Sequence, residues 1–307
     1  MHILLLGHTG FLGKNISRYC LDKDFKVTKI SSKECDLKNY NEVFECFKEL
    51  KGIDLILNCA ANVGSVHYVT KHAAEVFTEN SLISINVYKA MQRYHSDSTI
   101  VNPLGNCAYP SNSNLQKEEE WLNGEVHQSV FAFGNYKRFL YYLSKSYKIE
   151  YDIKSINLIY PNMYGPGDSN DPHKVHALNG MIIRMLESKR KNEKTFEVWG
   201  TGKPIREWLY IDDACKTIIE SFNKLKESIE PINIAQGKGY SIEETAQLIA
   251  KGVGFRGEIV FNDNYQDGDP IKIMDNKLFN KIFTNHKFED HYQGIIKTIN
   301  YYKNITY

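Results

Sequence analysis

The chain has 307 residues, 42% of them hydrophobic, enough for a large core and, at roughly 100–200 residues per domain, for one big domain or two unequal ones. Its 38 basic and 37 acidic side chains leave a formal net charge of +1, so no sequence-wide field recruits nucleic acid or an anionic membrane. No apolar run approaches the ~18 residues of a membrane span, and the first residues read as a core strand rather than a basic leader with a cleavage site. The six cysteines (Cys20, Cys35, Cys46, Cys59, Cys107 and Cys215) show neither CxxC nor metal-ligand spacing. The expectation is a cytoplasmic protein with reduced, mostly buried thiols and no metal.

Residues 2–13, HILLLGHTGFLG, open the chain. An apolar run ends at Gly7, Gly10 and Gly13 follow at three-residue intervals, and a helical pattern starts at Phe11. In a strand that turns sharply into a helix, Gly7 permits the tight turn, Gly10 lets a pyrophosphate approach, and Gly13 lets the helix pack on the strand. That is a dinucleotide site, although the spacing is GxxGxxG rather than GxGxxG and isolated glycines after a strand are often plain turn residues.

Strands are then predicted at 26–30, 54–60, 99–101 and 152–160, and helices at 11–21, 40–50, 73–94 and 133–148. Such βαβα alternation with apolar strands predicts an α/β fold with a doubly wound parallel sheet, its ligand beyond the carboxyl ends of the strands. After the second strand, Ser31, Ser32 and Lys33 stand where an NAD site carries an acid for the ribose 2′-OH. Hydroxyls and a cation suit a 2′-phosphate and favour NADP, but a solvated turn lysine reads the same way. The charge run 117–120 reads as a solvated loop. Beyond Tyr164, the turn-rich YGPGDSNDP marks a change of organisation, followed by shorter elements at 178–189, 196–198, 212–225, 232–234, 241–253 and 258–261.

The stretches GHTGFLG, SSKECDL, NCAANVG, LGNCAYP, FGNYKR, NMYGPGD, VWGTGKPIREWLYIDD and DGDPIK occur in this order along nearly the whole chain. Together they resemble the extended short-chain dehydrogenase/reductases, most closely the GDP-L-fucose synthase group of GDP-4-keto-6-deoxymannose epimerase-reductases. The resemblance implies a Rossmann domain over 1–164, with elements returning near 207–234, and a smaller C-terminal α/β substrate domain over 165–307. It also implies a homodimer packed through helices of the large domain, NADP(H) with NAD(H) as the alternative, and a GDP-sugar or related nucleotide-sugar substrate.

Residue by residue, the resemblance assigns the dinucleotide to Gly7, Thr9, Gly10, Phe11, Leu12 and Gly13, to Ser31, Ser32, Lys33, Asp36 and Leu37, and to Ala60, Ala61, Lys137 and Asn162. Asn86, on the third predicted helix, stands near the cofactor or else caps or packs. The nucleotide sugar falls to Asn162, Arg184, Trp199, Arg206 and Lys272, with Arg206 suited to fork onto a diphosphate. Taken singly, these charged residues would pass for surface positions and Trp199 for a core residue.

The family's proton chemistry uses Tyr-x-x-x-Lys, in which the lysine four residues on lowers the tyrosine's pKa, together with a serine that holds the substrate oxygen. Here the lysine is Lys137, but the tyrosine position holds Phe133 and the serine position Gly105. Phenylalanine has no proton to exchange, and loss of a general acid typically removes a factor of roughly 10² to 10⁴. An engineered change, an acid relocated elsewhere and a natural loss of redox chemistry each account for Phe133. Tyr136 points about 100° away from Lys137 on a helix, so a packing role is expected of it.

Cys107 and His176, by contrast, match the family's acid–base pair, which exchanges protons at the carbons flanking the 4-keto group. A buried thiol and an ordinary loop imidazole are the plain alternatives. The reading is a nucleotide-sugar epimerase/reductase with an altered redox site. Its alternatives are a pure epimerase, another NAD(P)-dependent tailoring enzyme such as a 4-epimerase or dehydratase, or a nucleotide-sugar-binding protein that has lost its chemistry.

Overall fold

The computed structural model describes every residue except 22, 112, 173, 226, 227, 266, 306 and 307. Its first half alternates strand and helix: β1 (His2–Leu6), α1 (Phe11–Leu21), β2 (Lys26–Ile30), α2 (Tyr40–Glu49), β3 (Leu55–Asn58), α3 (Val66–Lys71) and α4 (Ala73–Tyr94), then β4 (Thr99–Gly105), α5 (Phe131–Tyr151) and β5 (Lys154–Tyr160). The second half is finer grained: β6 (Asn162–Tyr164), α6 (Ala177–Arg190), β7 (Thr195–Trp199), β8 (Ile205–Tyr210), α7 (Ile211–Lys224) and β9 (Ile232–Asn233), followed by β10 (Gly239–Ser241), α8 (Ile242–Val253), β11 (Glu258–Asn262), β12 (Ile271–Lys272), α9 (Lys277–Ile282) and α10 (His291–Ile305).

Six parallel strands form the main sheet in the order β2-β1-β3-β4-β5-β9. Alternation along β1 explains the two covered faces: Leu4 and Leu6 join a core with Val43, Phe47 and Val87, while Ile3 and Leu5 join another with Ile16 and Ile218. The order reverses between β1 and β3, which opens a crevice at the carboxyl ends of those strands.

β4 runs on past Val101 to Gly105, through Pro103. Its pairing with β3 stops at Val101, so Pro103 lies where the strand has a neighbour on one side only and a missing N–H is tolerated.

A third core gathers Tyr164, α6 (Leu178, Ile182, Met185), α8 (Ala246, Ile249) and α10 (Ile295, Ile299). β8 connects it to the main sheet, since Trp208 and Tyr210 enter this core whereas Leu209 and Ile211 enter the one under the central sheet. The run 117–120 is not wholly solvated: Glu118 accepts a hydrogen bond from the Asn233 backbone N–H at 3.0 Å, fastening the crossing loop to β9.

Candidate active site

The glycine loop meets the crevice. Gly7 has φ of +75°, and a Cβ there would come within 2.7 Å of the Ala60 backbone; a Cβ at Gly13 would stand 2.3 Å from the Gly7 carbonyl oxygen. Both glycines are therefore required by the chain's own packing. Gly10 is not: a Cβ there would meet only the Gly7 oxygen at 3.4 Å, an ordinary contact. Thr9 and Gly10 are exposed at the start of α1, with Phe11 and Leu12 half-buried behind them. Open space over a side-chain-free residue at a helix N-terminus fits a pyrophosphate, so the residues present suit a dinucleotide.

At the end of β2, Ser31 is buried, and its N–H donates to the Glu34 carboxylate at 2.7 Å while its hydroxyl donates to the same oxygen. Those two bonds hold the Glu34 carboxyl below its usual range. Ser32 and Lys33 are exposed, Asp36 is half-buried and Leu37 buried. Asn86 donates to the carbonyls of Leu37 and Lys38, each at 3.0 Å, and so braces this loop from α4. Ala60 and Ala61 follow β3, the first half-buried under Gly7 and the second exposed.

α5 docks against the end of β4 through a close backbone approach: a Cβ on Gly134 would lie 2.5 Å from the Cys107 carbonyl oxygen. One turn on, Arg138 donates to the carbonyls of Ala108 (2.7 Å), Gly124 (2.7 Å) and Trp121 (3.1 Å), fixing the loop that carries Cys107. Lys137 is buried and donates to the Pro103 carbonyl at 2.7 Å; burial lowers its pKa to about 8. Its Nζ stands 5.0 Å from the centroid of the Phe133 ring. Tyr136 belongs to the core, with its hydroxyl 3.0 Å from Ser84 Oγ, and burial pushes it up to about 12.

Gly105 leaves room that a thiol partly fills, because a Cβ there would stand 3.2 Å from Cys107 Sγ. Burial pushes the Cys107 thiol up, and the charges of Lys272 and Lys137 oppose that rise. Lys272 on β12 is the register partner of Arg206 on β8. Like charges directly opposite each other are unfavourable without an anion between them. Burial lowers the pKa of both cations, and the buried Asp269 is their shared counter-charge. One Asp269 oxygen has no hydrogen-bond partner among the described residues. The neighbouring Glu207 accepts from the N–H groups of Gln236, Gly237 and Met274, and burial pushes it up to about 7.

Farther along this lobe, Arg184 donates to the Glu197 carbonyl at 3.0 Å, with its guanidinium carbon 4.8 Å from the Trp199 ring centroid. Trp199 is exposed and stacks on Tyr265 at 5.0 Å and 20°. Asn162 is half-buried on β6, paired in register with Trp208.

His176 enters from the loop before α6. Its ring packs on Phe11 with centroids 5.4 Å apart, and Asn15 on the same glycine-loop helix donates to the Pro166 carbonyl at 2.9 Å. His176 Nδ1 lies 3.0 and 3.1 Å from the two oxygens of Asp168, the last residue of the NMYGPGD stretch, to which the sequence assigns no role of its own. Asp168, Glu34, Asp269, Arg138 and Tyr265 are the additions the structure makes to the expected residues. All but Arg138 lie in turn-rich loops, where spacing carries no periodic signal.

A doubly wound sheet with a glycine-lined crevice, faced by a cationic lobe, defines a dinucleotide-dependent enzyme acting on an anionic partner. The NAD dependent epimerase/dehydratase family matches residues 3–235. The chain belongs to that family and is an NAD(P)-dependent nucleotide-sugar enzyme of the extended short-chain dehydrogenase/reductase type, within the GDP-L-fucose synthase-like group.

Among its relatives, the probable GDP-L-fucose synthase 1 of Oryza sativa subsp. japonica is 28% identical over 302 residues, covering 98% of this chain and 91% of the relative. The GDP-L-colitose synthase of Yersinia pseudotuberculosis is 28% identical over 309 residues, covering 99% and 98%. Among solved structures, a GDP-6-OMe-4-keto-L-xylo-heptose reductase from C. jejuni superposes with a TM-score of 0.90 at 25% identity, covering 99% of this chain and 98% of that one. The GDP-mannoheptose C4 reductase from Campylobacter jejuni, with NADP bound, gives 0.86 at 26% identity, covering 98% of each.

Proposed function

We propose that the protein binds NADP(H) and a GDP-linked 4-keto sugar and inverts the carbons flanking the ketone, with Cys107 and His176 as the proton-exchanging pair. The observation that carries this reading is where Cys107 sits: its half-buried thiol lies in the space beside Gly105, with the charges of Lys137, on the dinucleotide side, and Lys272, on the diphosphate side, both acting on it. A group between those two ends is where the sugar of a nucleotide-linked substrate falls. The register pair Arg206 and Lys272 binds the diphosphate, Trp199 and Arg184 line the base end, and Asn162 contacts the sugar.

The ketone acidifies its neighbouring C–H bonds. One of the two side chains removes a proton, and the other returns one to the opposite face with inversion. NADP(H), when bound over Gly7, Gly10 and Gly13, supplies hydride chemistry at the sugar's carbon 4. Lys137 holds the ribose end of that cofactor, and Phe133 contributes no proton to the ketone oxygen, so epimerisation outruns reduction. The dinucleotide belongs to residues 1–164 with the returning stretch near 207–234, and the sugar nucleotide mainly to 165–307.

The exposed apolar side chains Phe77 and Leu82 on α4 and Phe131, Tyr142 and Ile149 on α5 suit a homodimer packed through these two helices. None of the helices, over the described residues, is long and apolar enough to cross a membrane, and the free thiols suit the cytoplasm. Incubation with a GDP-4-keto-6-deoxy sugar and NADPH in deuterated water tests the assignment. Deuterium uptake faster than NADPH oxidation is expected; oxidation without uptake would contradict it.

A further inference from the structure

We propose that Asp168 is a positioning residue that fixes the tautomer of His176, holding the proton on Nδ1 and presenting Nε2 as the atom that exchanges protons. The exchange role itself rests on the function proposed above; the orientation does not.

The two side chains span the boundary between core and cleft. The Asp168 side chain is 2% exposed and that of His176 37%. The carboxylate is surrounded by donors. Its Oδ2 accepts from the His176 backbone N–H at 3.0 Å and from Asn179 Nδ2 at 2.8 Å, and its Oδ1 accepts from the Ser169 N–H at 2.8 Å. Burial alone would raise this carboxyl, but the bonds from His176 and Asn179 outweigh it and hold Asp168 below the usual carboxylate range. An ionised carboxylate only accepts, so the nitrogen 3.0 Å away must be the one that carries hydrogen. In a neutral imidazole the other nitrogen is then unprotonated and basic.

The orientation is over-determined. The same carboxylate binds both the ring and the backbone N–H of His176, which leaves the ring little freedom to turn. Asn179 is itself fixed, because its Oδ1 accepts from the Gly165 N–H at 3.2 Å, so its amide nitrogen is directed at Asp168. The Phe11 ring closes another side of the imidazole. When Nε2 takes a proton from a substrate carbon, the ring becomes an imidazolium whose new charge lies beside the Asp168 carboxylate; when it gives the proton back, the neutral Nδ1–H form returns. A carboxylate in this relation lowers the barrier both by orientation and by stabilising the charged ring.

The test reads the tautomer directly. Protein labelled with ¹⁵N-histidine is followed by long-range ¹H–¹⁵N correlation, with the His176 signal identified by its loss in His176→Gln. The expected result is Nδ1–H in the unsubstituted protein; an Nε2–H tautomer there overturns the proposal without any variant at Asp168. In Asp168→Asn, the side-chain amide can turn either face to the ring, so both tautomers are expected. Deuterium exchange into the sugar should then drop by roughly 10²- to 10⁴-fold with the KM for the nucleotide sugar unchanged. An Asp168→Asn protein that keeps the Nδ1–H form and full exchange would refute the role. If the unsubstituted protein shows the Nδ1–H form but exchanges no deuterium, the orientation stands and the proposed function falls.

Discussion

The Nζ of Lys137 stands 5.0 Å from the ring centroid of Phe133, one helical turn earlier on α5, and its hydrogen bond goes to the Pro103 carbonyl. The lysine that would tune a phenol therefore faces an aromatic ring with no proton to tune. Restoring a hydroxyl with Phe133→Tyr should raise NADPH-dependent ketone reduction by roughly 10²- to 10⁴-fold, read as loss of nicotinamide absorbance. No gain would mean that the geometry around Gly105 also forbids reduction.

Gly105→Ser should act in the opposite direction on epimerisation. Its Cβ would stand 3.2 Å from Cys107 Sγ, closer than most such contacts, so the thiol must give way. A severalfold fall in deuterium uptake is expected, with GDP binding by calorimetry unaffected because Arg206 and Lys272 are not disturbed. Unchanged uptake would show that the thiol has room to move.

Lys137 also bears on stability. Its folded pKa of about 8 lies below the unfolded value of ~10.4, so between these pH values the unfolded chain binds more protons and stability rises with pH. Below about pH 8, burying the ammonium costs the fold on the order of 3 kcal/mol. Lys137→Met should therefore raise Tm at pH 7, by an amount that shrinks as pH climbs from 8 towards 10, while weakening dinucleotide binding. A Tm lowered at pH 7 would contradict this.

In the proposed function, the loop after β2 sets cofactor preference through opposing charges. The exposed Lys33 favours a 2′-phosphate, and the Glu34 carboxylate, bonded to Ser31, opposes it. Lys33→Ala should lower the ratio of NADP to NAD affinity and Glu34→Gln should raise it, each measured by fluorescence titration. Asn86→Ala, which removes the brace on Leu37 and Lys38, should cost about 1–2 kcal/mol of stability and weaken both dinucleotides alike.

Much of this architecture is legible in the sequence because it rests on periodicity. β2, α1 and α4 fall at 26–30, 11–21 and 73–94 as their apolar spacing predicts, and the glycine loop occupies the reversal point of the sheet. β8 is not legible. Its alternate residues enter two different cores and it runs into α7 with no turn residue between Tyr210 and Ile211, so no half-polar alternation marks it. Tyr136 takes the packing role its angle to Lys137 predicts, whereas the bonds from Asn86 to the Leu37 and Lys38 carbonyls are not foreseen in the sequence. Asp168 and Asp269 lie in stretches the sequence marks, NMYGPGD and DGDPIK, but their roles escape it for a different reason. Their partners are chosen by loop geometry, which brings position 168 to 176 and position 269 to 206 with no repeat to announce it.

In the proposed function, Cys107 and His176 exchange protons beside a sugar ketone. Solvent deuterium uptake into a GDP-4-keto-6-deoxy sugar, followed by NMR at the two carbons flanking the ketone, tests it most directly. The unsubstituted protein should label both positions, and Cys107→Ala and His176→Gln should each lose roughly 10² or more of that rate. A protein that binds the nucleotide sugar yet labels neither carbon, or variants that label as fast as the parent, would contradict the account.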